Sequence, residues 1–143
     1  MSGIARISFC ALLGSVLFVA GCSGKKHKTV KVSGRLTKGG AALKVPAMVG
    51  MVQLVFYPEP EGARPNDPVQ AQLAAYYARA DEDGNFTVPD GLPPGKYIIV
   101  VRHLESGPQG KDSLQDRFSF KNTKIVEEIN EDRVLDIELD KYK

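Results

Sequence analysis

From Thr29 onward, apolar and polar positions alternate along the chain with a period of two rather than 3.6. Val30, Val32, Gly34 and Leu36 fall on one side and Lys31, Ser33 and Arg35 on the other, the pattern of a strand with one buried face. Lys38-Gly39-Gly40 supplies a turn, and residues 37–50 carry no clear period. Val52, Leu54 and Phe56 form one face of the next run, which Pro58 ends. Residues 58–68 hold four prolines and read as an exposed loop. Leu73 to Ala80 predicts a third strand, with helix as a rival because of its alanines. Asp83-Gly84-Asn85 is a turn signal, and Phe86 and Val88 follow at strand spacing. Lys96 to Val101 is the strongest strand, apolar on both faces as in the middle of a sheet. Residues 105–116 are polar and loop-like. Phe118 with Phe120 predicts a short strand, Ile125, Val126 and Ile129 another, and Leu135, Ile137 and Leu139 a last one. About seven short strands between Gly- and Pro-bearing turns predict an all-β chain, a single antiparallel sandwich.

The first residues follow a different rule. Arg6 is the only charged side chain before a run of 14 residues, Ile7 to Ala20, that is almost wholly apolar. A membrane-spanning helix needs about 20 apolar residues, so a charged start and a short apolar run read as a signal peptide. Val19-Ala20-Gly21-Cys22 ends the run and resembles the bacterial lipobox. That resemblance implies diacylglycerol transfer to the Cys22 sulfur, cleavage between Gly21 and Cys22, and N-acylation of the new terminus by a chain such as palmitate. Residues 1–21 would then be the signal peptide, residues 22–28 a lipidated cysteine with a polar tether, and residues 29–143 the folded domain. Ser23 resembles the residue found after the cysteine in outer-membrane-directed lipoproteins. Two or three acyl chains, at about 0.8 kcal/mol per buried methylene, make such attachment essentially permanent. The tether lysines Lys25, Lys26 and Lys28 either touch anionic headgroups or simply stay solvated.

Four further motifs occur in order: Val32-Ser33-Gly34-Arg35-Leu36, Val52-Gln53-Leu54-Val55-Phe56-Tyr57-Pro58, Ala80-Asp81-Glu82-Asp83-Gly84-Asn85-Phe86, and Gly91-Leu92-Pro93-Pro94-Gly95-Lys96-Tyr97. The series resembles the carboxypeptidase regulatory-like, or transthyretin-like, domain, especially as it is found in small planctomycete lipoproteins. The resemblance covers about residues 29–140 and implies a Greek-key, prealbumin-like topology.

Composition narrows the function further. The chain has 143 residues and a formal net charge of +2, which argues against a nucleic-acid footprint. Of two cysteines, Cys10 would leave with the signal peptide, so no disulfide is expected in the mature chain. The only histidines, His27 and His103, fall far short of a zinc ligand set. Asp81-x-Asp83-Gly84 superficially resembles the start of a calcium loop, but its twelfth position is Leu92, and a hairpin turn explains it better. Tyr57, Tyr76, Tyr77, Tyr97 and Tyr142 read as strand aromatics. None of Ser23, Ser33, Ser106, Ser113 and Ser119 sits in a nucleophile elbow, and residues 107–111 do not space their glycines as a phosphate loop does.

The expected function is therefore a non-catalytic, lipid-anchored module of the cell envelope with a structural, adhesive or accessory role. Its partners would be membrane lipid through Cys22 and an envelope protein or glycan. No cofactor, metal or nucleic acid is expected. Loops 58–68 and 105–116 are the expected contact surfaces. Two alternatives stay open. A transthyretin-related enzyme or small-ligand binder would gather His103 and Arg102 or Arg117 with a carboxylate. A lipid-anchored subunit of an envelope complex would carry a broad exposed apolar patch.

Overall fold

The structure is a computed structural model that describes residues 28–45, 50–59 and 74–142. The signal peptide, the lipobox with Cys22, the tether as far as His27, and residues 60–68 of the proline-rich loop lie outside them.

The chain is all-β. In order, it forms β1 (Val32–Lys38), β2 (Ala41–Ala42), β3 (Met51–Pro58), β4 (Tyr76–Ala80), β5 (Asn85–Thr87), β6 (Gly95–Leu104), β7 (Val126–Ile129) and β8 (Arg133–Glu138). A short 3-10 turn, Leu139–Tyr142, follows. Hydrogen bonding runs continuously from β7 through β6, β3, β4 and β5 to β1, and β8 lies along the other side of β1. The sheet is narrowest between β4 and β5, where only Ala80 and Phe86 face each other. There it curls over, so that Val32 and Leu36 of β1 and Leu135 and Ile137 of β8 share one core with Val52, Leu54, Phe56, Ile99 and Val101 of β3 and β6. Phe56 meets Phe86 and Tyr97 at centroid distances of 6.3 and 6.5 Å inside it.

The period-two runs account for most of these strands. β6 is the longest, and its apolar residues do face both ways. Tyr97, Ile99 and Val101 enter the core, while Ile98, Val100 and Leu104 are buried on the outer face beside Val55 of β3. Leu73 to Ala80 resolves in favour of strand over Tyr76–Ala80. Burial on alternate residues outweighs the mild helix preference of alanine there. Two expectations need correction. Phe118 and Phe120 do not form a strand: residues 113–122 are a chain of turns, in which Arg117 N bonds Leu114 O at 3.1 Å and Ser119 N bonds Asp116 O at 3.0 Å. Nor is the sheet wholly antiparallel. β8 pairs with β1 in parallel, Val32 facing Arg133 through to Thr37 facing Glu138. Only residues 130–132 separate β7 from β8, so the chain steps straight from one end of the ladder to the other.

Side chains close the seam between those two end strands. Arg133 Nη1 donates to the Glu128 carbonyl at 2.8 Å, and Arg133 Nη2 lies 3.3 Å from Glu127 Oε2. Such caps satisfy backbone that an open edge would offer to another chain.

Two ends can be distinguished from the register. At the entry end, Val30 bridges Leu92, Lys31 N bonds Asp132, and β6 begins at Gly95 opposite Ile129. At the far end are the Gly39-Gly40 turn, the residue 81–84 turn, the end of β6 and the 3-10 turn after β8. Each turn has a local cause. Gly39 and Gly40 both take positive φ (63° and 77°), as a two-residue hairpin of mirror-image type requires. The Asp81 carboxylate accepts from the backbone N–H groups of Asp83 (2.9 Å) and Asn85 (2.8 Å), which hold its carboxyl below the usual range, Asn85 foremost. The hairpin reading of this motif is what the geometry has: the carboxylate that suggested calcium closes its own turn.

Candidate functional site

The far end of β6 carries the densest chemistry of the described residues. Alternation along β6 turns His103 to the same side as Tyr97, Ile99 and Val101, and sends Arg102 to the opposite side, where its charge acts on the Tyr57 phenol. Beyond Leu104 the chain makes a short excursion, with Glu105 N bonded to Lys111 O at 3.1 Å, and returns beside β6. Asp112 fixes that return. Its Oδ1 accepts from the backbone N–H of His103 (2.9 Å) and of Leu114 (3.1 Å), while Ser113 N donates to His103 O at 2.9 Å.

This clamp brings Ser113 against the imidazole. His103 Nδ1 is hydrogen-bonded to Ser113 Oγ. The other ring nitrogen, Nε2, lies 2.9 Å from the carbonyl oxygen of Lys44. A carbonyl can only accept, so in the neutral ring Nε2 carries the proton and Nδ1 offers its lone pair to the Ser113 hydroxyl. Serine, histidine and an orienting acceptor are thus in line. Asp112, the nearby acid, is engaged with the backbone instead of the ring.

After Ser113 the backbone is strained. Gln115 and Asp116 both occupy the left-handed region, at φ 54° and 57°. Each non-glycine residue there costs on the order of 1–3 kcal/mol and persists only where its surroundings fix it. Here Leu114 and Phe118, both buried, pin the segment on either side, and Val101 N bonds Phe118 O at 3.2 Å. The consequence is a tight bend that brings Ser113 and Arg117 to the lining of one recess of about 180 Å³, shared with Lys38, Leu114, Gln115, Phe118 and Asp140. A shallower depression of about 600 Å³ continues past Gln115 and Arg117 to Asn122, Lys124 and Tyr142. Burial, followed by the neighbouring Glu127, raises the Tyr142 phenol above its ordinary value.

Lys38 reaches this end because of another local device. Glu138, the last residue of β8, accepts from the backbone N–H groups of Gly39 (3.0 Å), Gly40 (2.9 Å) and Asp140 (3.1 Å). These donors, Gly40 foremost, hold its carboxyl down to about 2. The β1–β2 turn and the 3-10 turn are therefore tied to one anion, with Lys38 and Asp140 at either side of it.

Of the groups expected to converge in a ligand-binding or catalytic version of the domain, Arg117 and the carboxylate-bearing Asp140 line the recess; His103 is not among its lining residues and is linked to it through Ser113, and Arg102 lies on the opposite face of β6. Ser113, Lys38 and Asp112 were not singled out as partners in the sequence. The only local signal was Asp-Ser ahead of an apolar residue, which many loops carry. Tyr57, Tyr76, Tyr77 and Tyr97 lie in strands and Tyr142 in the 3-10 turn. Residues 105–116 border the site, whereas Cys22, Gly21, Ala20, Val19 and His27 lie outside the described residues. Among the described residues no three His, Cys, Asp or Glu side chains converge as metal ligands would, and no helix is long and apolar enough to cross a membrane. Of their large hydrophobic side chains, Tyr77 on β4 and Val134 on β8 are the exposed ones, on strands three places apart in the ladder. Comparison with known protein families, with curated proteins and with solved structures finds no match.

Proposed function

We propose that this protein is a lipid-anchored envelope protein whose β domain, a Greek-key sandwich of the transthyretin-like kind, serves as a structural, adhesive or accessory binding module. In this reading Cys22 carries diacylglycerol and an N-acyl chain, and the layers β8-β1-β5 and β4-β3-β6-β7 face each other across the core. One observation carries the proposal. The lipobox-like Val19-Ala20-Gly21-Cys22 ends only a few residues before Val30, and Val30 enters at the end opposite His103 and Ser113. An anchor at Cys22 would hold the entry end toward the bilayer. Seven intervening residues reach at most about 25 Å. The recess and residues 105–111 would then face away from the lipid, open to an envelope protein or glycan.

Growth on a clickable palmitate analogue tests the anchor. The expected result is label on the wild-type chain, detergent-dependent extraction, and loss of both in Cys22→Ala. Label retained in that variant, or release of the wild type without detergent, would refute it. Affinity capture from solubilised envelopes tests the binding role. A protein or glycan retained by the wild type and lost on replacing residues 105–111 is expected; recovery of lipid alone would sink the adhesive reading.

A further inference from the structure

The far-end recess carries chemistry that a passive module does not require. The Ser113 hydroxyl is bonded to His103 Nδ1, the ring is fixed by the Lys44 carbonyl at Nε2, and two cationic side chains, Lys38 and Arg117, line the recess with Ser113. We infer that Ser113 is an acyl-accepting nucleophile activated by His103, acting on small carboxylic esters. This goes beyond the binding role above and does not depend on the lipid anchor.

The arrangement supplies the parts that serine acyl transfer needs, with the ring nitrogens exchanged. In the familiar triad Nε2 takes the serine proton and Nδ1–H is held by a carboxylate. Here Nδ1 takes the proton and Nε2–H is held by a backbone carbonyl. The orienter keeps the ring in the one tautomer that can accept from serine, and its dipole favours the imidazolium that forms. Ser113 Oγ bonds to the acyl carbon as its proton passes to His103 Nδ1. The carbonyl oxygen becomes the oxyanion. When that intermediate collapses, the bond from carbon to the leaving alkoxide breaks, and His103 returns the proton to the alkoxide. Water then repeats the sequence on the acyl-serine, releasing a carboxylic acid and restoring the hydroxyl.

The backbone donors of the nucleophile and the two residues after it do not serve the oxyanion. The N–H groups of Ser113, Leu114 and Gln115 are already given to His103 O, Asp112 Oδ1 and Asp112 O. Lys38 and Arg117 bring positive charge to the recess, which they share with Asp140. Fixed charge aimed at a developing anion is commonly the largest single contribution to such catalysis. The recess, about 180 Å³, admits a short acyl group, whereas a longer chain must run out into the shallower depression past Gln115 and Arg117.

The test uses the full-length protein and an ethyl fluorophosphonate, which phosphonylates activated serines and spares ordinary ones. Mass spectrometry locates the adduct. The expected result is one adduct, on Ser113 and not on Ser106 or Ser119, abolished in Ser113→Ala and slowed at least ten-fold in His103→Gln. Nitrophenolate release from p-nitrophenyl acetate should exceed release from the octanoate and disappear with the same variants. A wild-type chain that takes no adduct, an adduct on another serine, or a rate unchanged in a folded His103→Gln variant would overturn the inference. Should His103→Gln fail to fold, the position of the wild-type adduct still decides.

Discussion

Gly34 faces Leu135 across the parallel ladder so closely that a Cβ on Gly34 would overlap the Leu135 carbonyl. The restriction is one of space, since the φ of Gly34 is not positive. Backbone lies on the other side of the contact, so no side chain can swing away. Gly34→Ala should therefore part β1 from β8 and cost upward of about 3 kcal/mol, beyond the usual overpacking range. Urea unfolding checks it: the midpoint should fall sharply, and a shift near zero would mean the strands can separate without penalty.

Tyr97 makes a second tie that a conservative change can probe. Its ring is buried in the core, and its Oη donates to the Pro93 carbonyl at 2.5 Å, bracing the corner that feeds β6. Tyr97→Phe keeps the ring and deletes the bond, for an expected loss of about 1 kcal/mol. Burial, followed by the nearby Tyr76, pushes the Tyr97 phenol up to about 12 from 10.0. The folded state thus holds this proton more tightly than the unfolded one. Its contribution is complete below pH 10 and declines as pH rises toward 12. Thermal unfolding of wild type and variant should show stability curves that converge across that alkaline window.

Glu138 works in the opposite direction. Its carboxyl is lowered to about 2 from 4.5 by the N–H groups around it. The stability it lends is present above pH 4.5 and fades as pH falls toward 2. Glu138→Gln should flatten that part of the acid unfolding profile and leave the neutral-to-alkaline part parallel to wild type. Equal acid slopes in the two proteins would show that the turn amides do not need the charge.

Thr123 is the buried polar residue that holds the turn chain against β6. Its Oγ1 donates to Ile99 O at 2.8 Å and accepts from Ile125 N at 3.2 Å. Thr123→Val preserves shape and strands both backbone groups, at about 1–3 kcal/mol. Amide exchange at Ile125 should quicken along with the fall in midpoint, which distinguishes a local loosening from a uniform one.

The sequence revealed what depends on neighbours a few residues apart. Val52, Leu54 and Phe56 announce β3 by spacing, and Asp81 with Gly84 announces its own hairpin. Phe118 and Phe120 misled because two-residue spacing also arises in successive turns; the φ of Gln115 and Asp116, set by packing of Leu114 and Phe118, is invisible locally. The β1–β8 pairing joins residues about a hundred positions apart, and neither strand's pattern states a partner or a direction. The Ser113–His103 pair escaped for the same reason. The residues are ten positions apart, and the excursion that returns one to the other has no period to read.

The side-by-side, same-direction run of β1 and β8 also bears on tension. If the chain is tethered through its leading segment and gripped near its trailing turn, the pull acts lengthwise along this pair. The six facing positions from Val32–Arg133 to Thr37–Glu138 would then share the load in shear, instead of peeling apart one at a time. Detachment under force would be a single abrupt event governed by the unfolding rate, with the contact between Gly34 and Leu135 near the middle of the clamp.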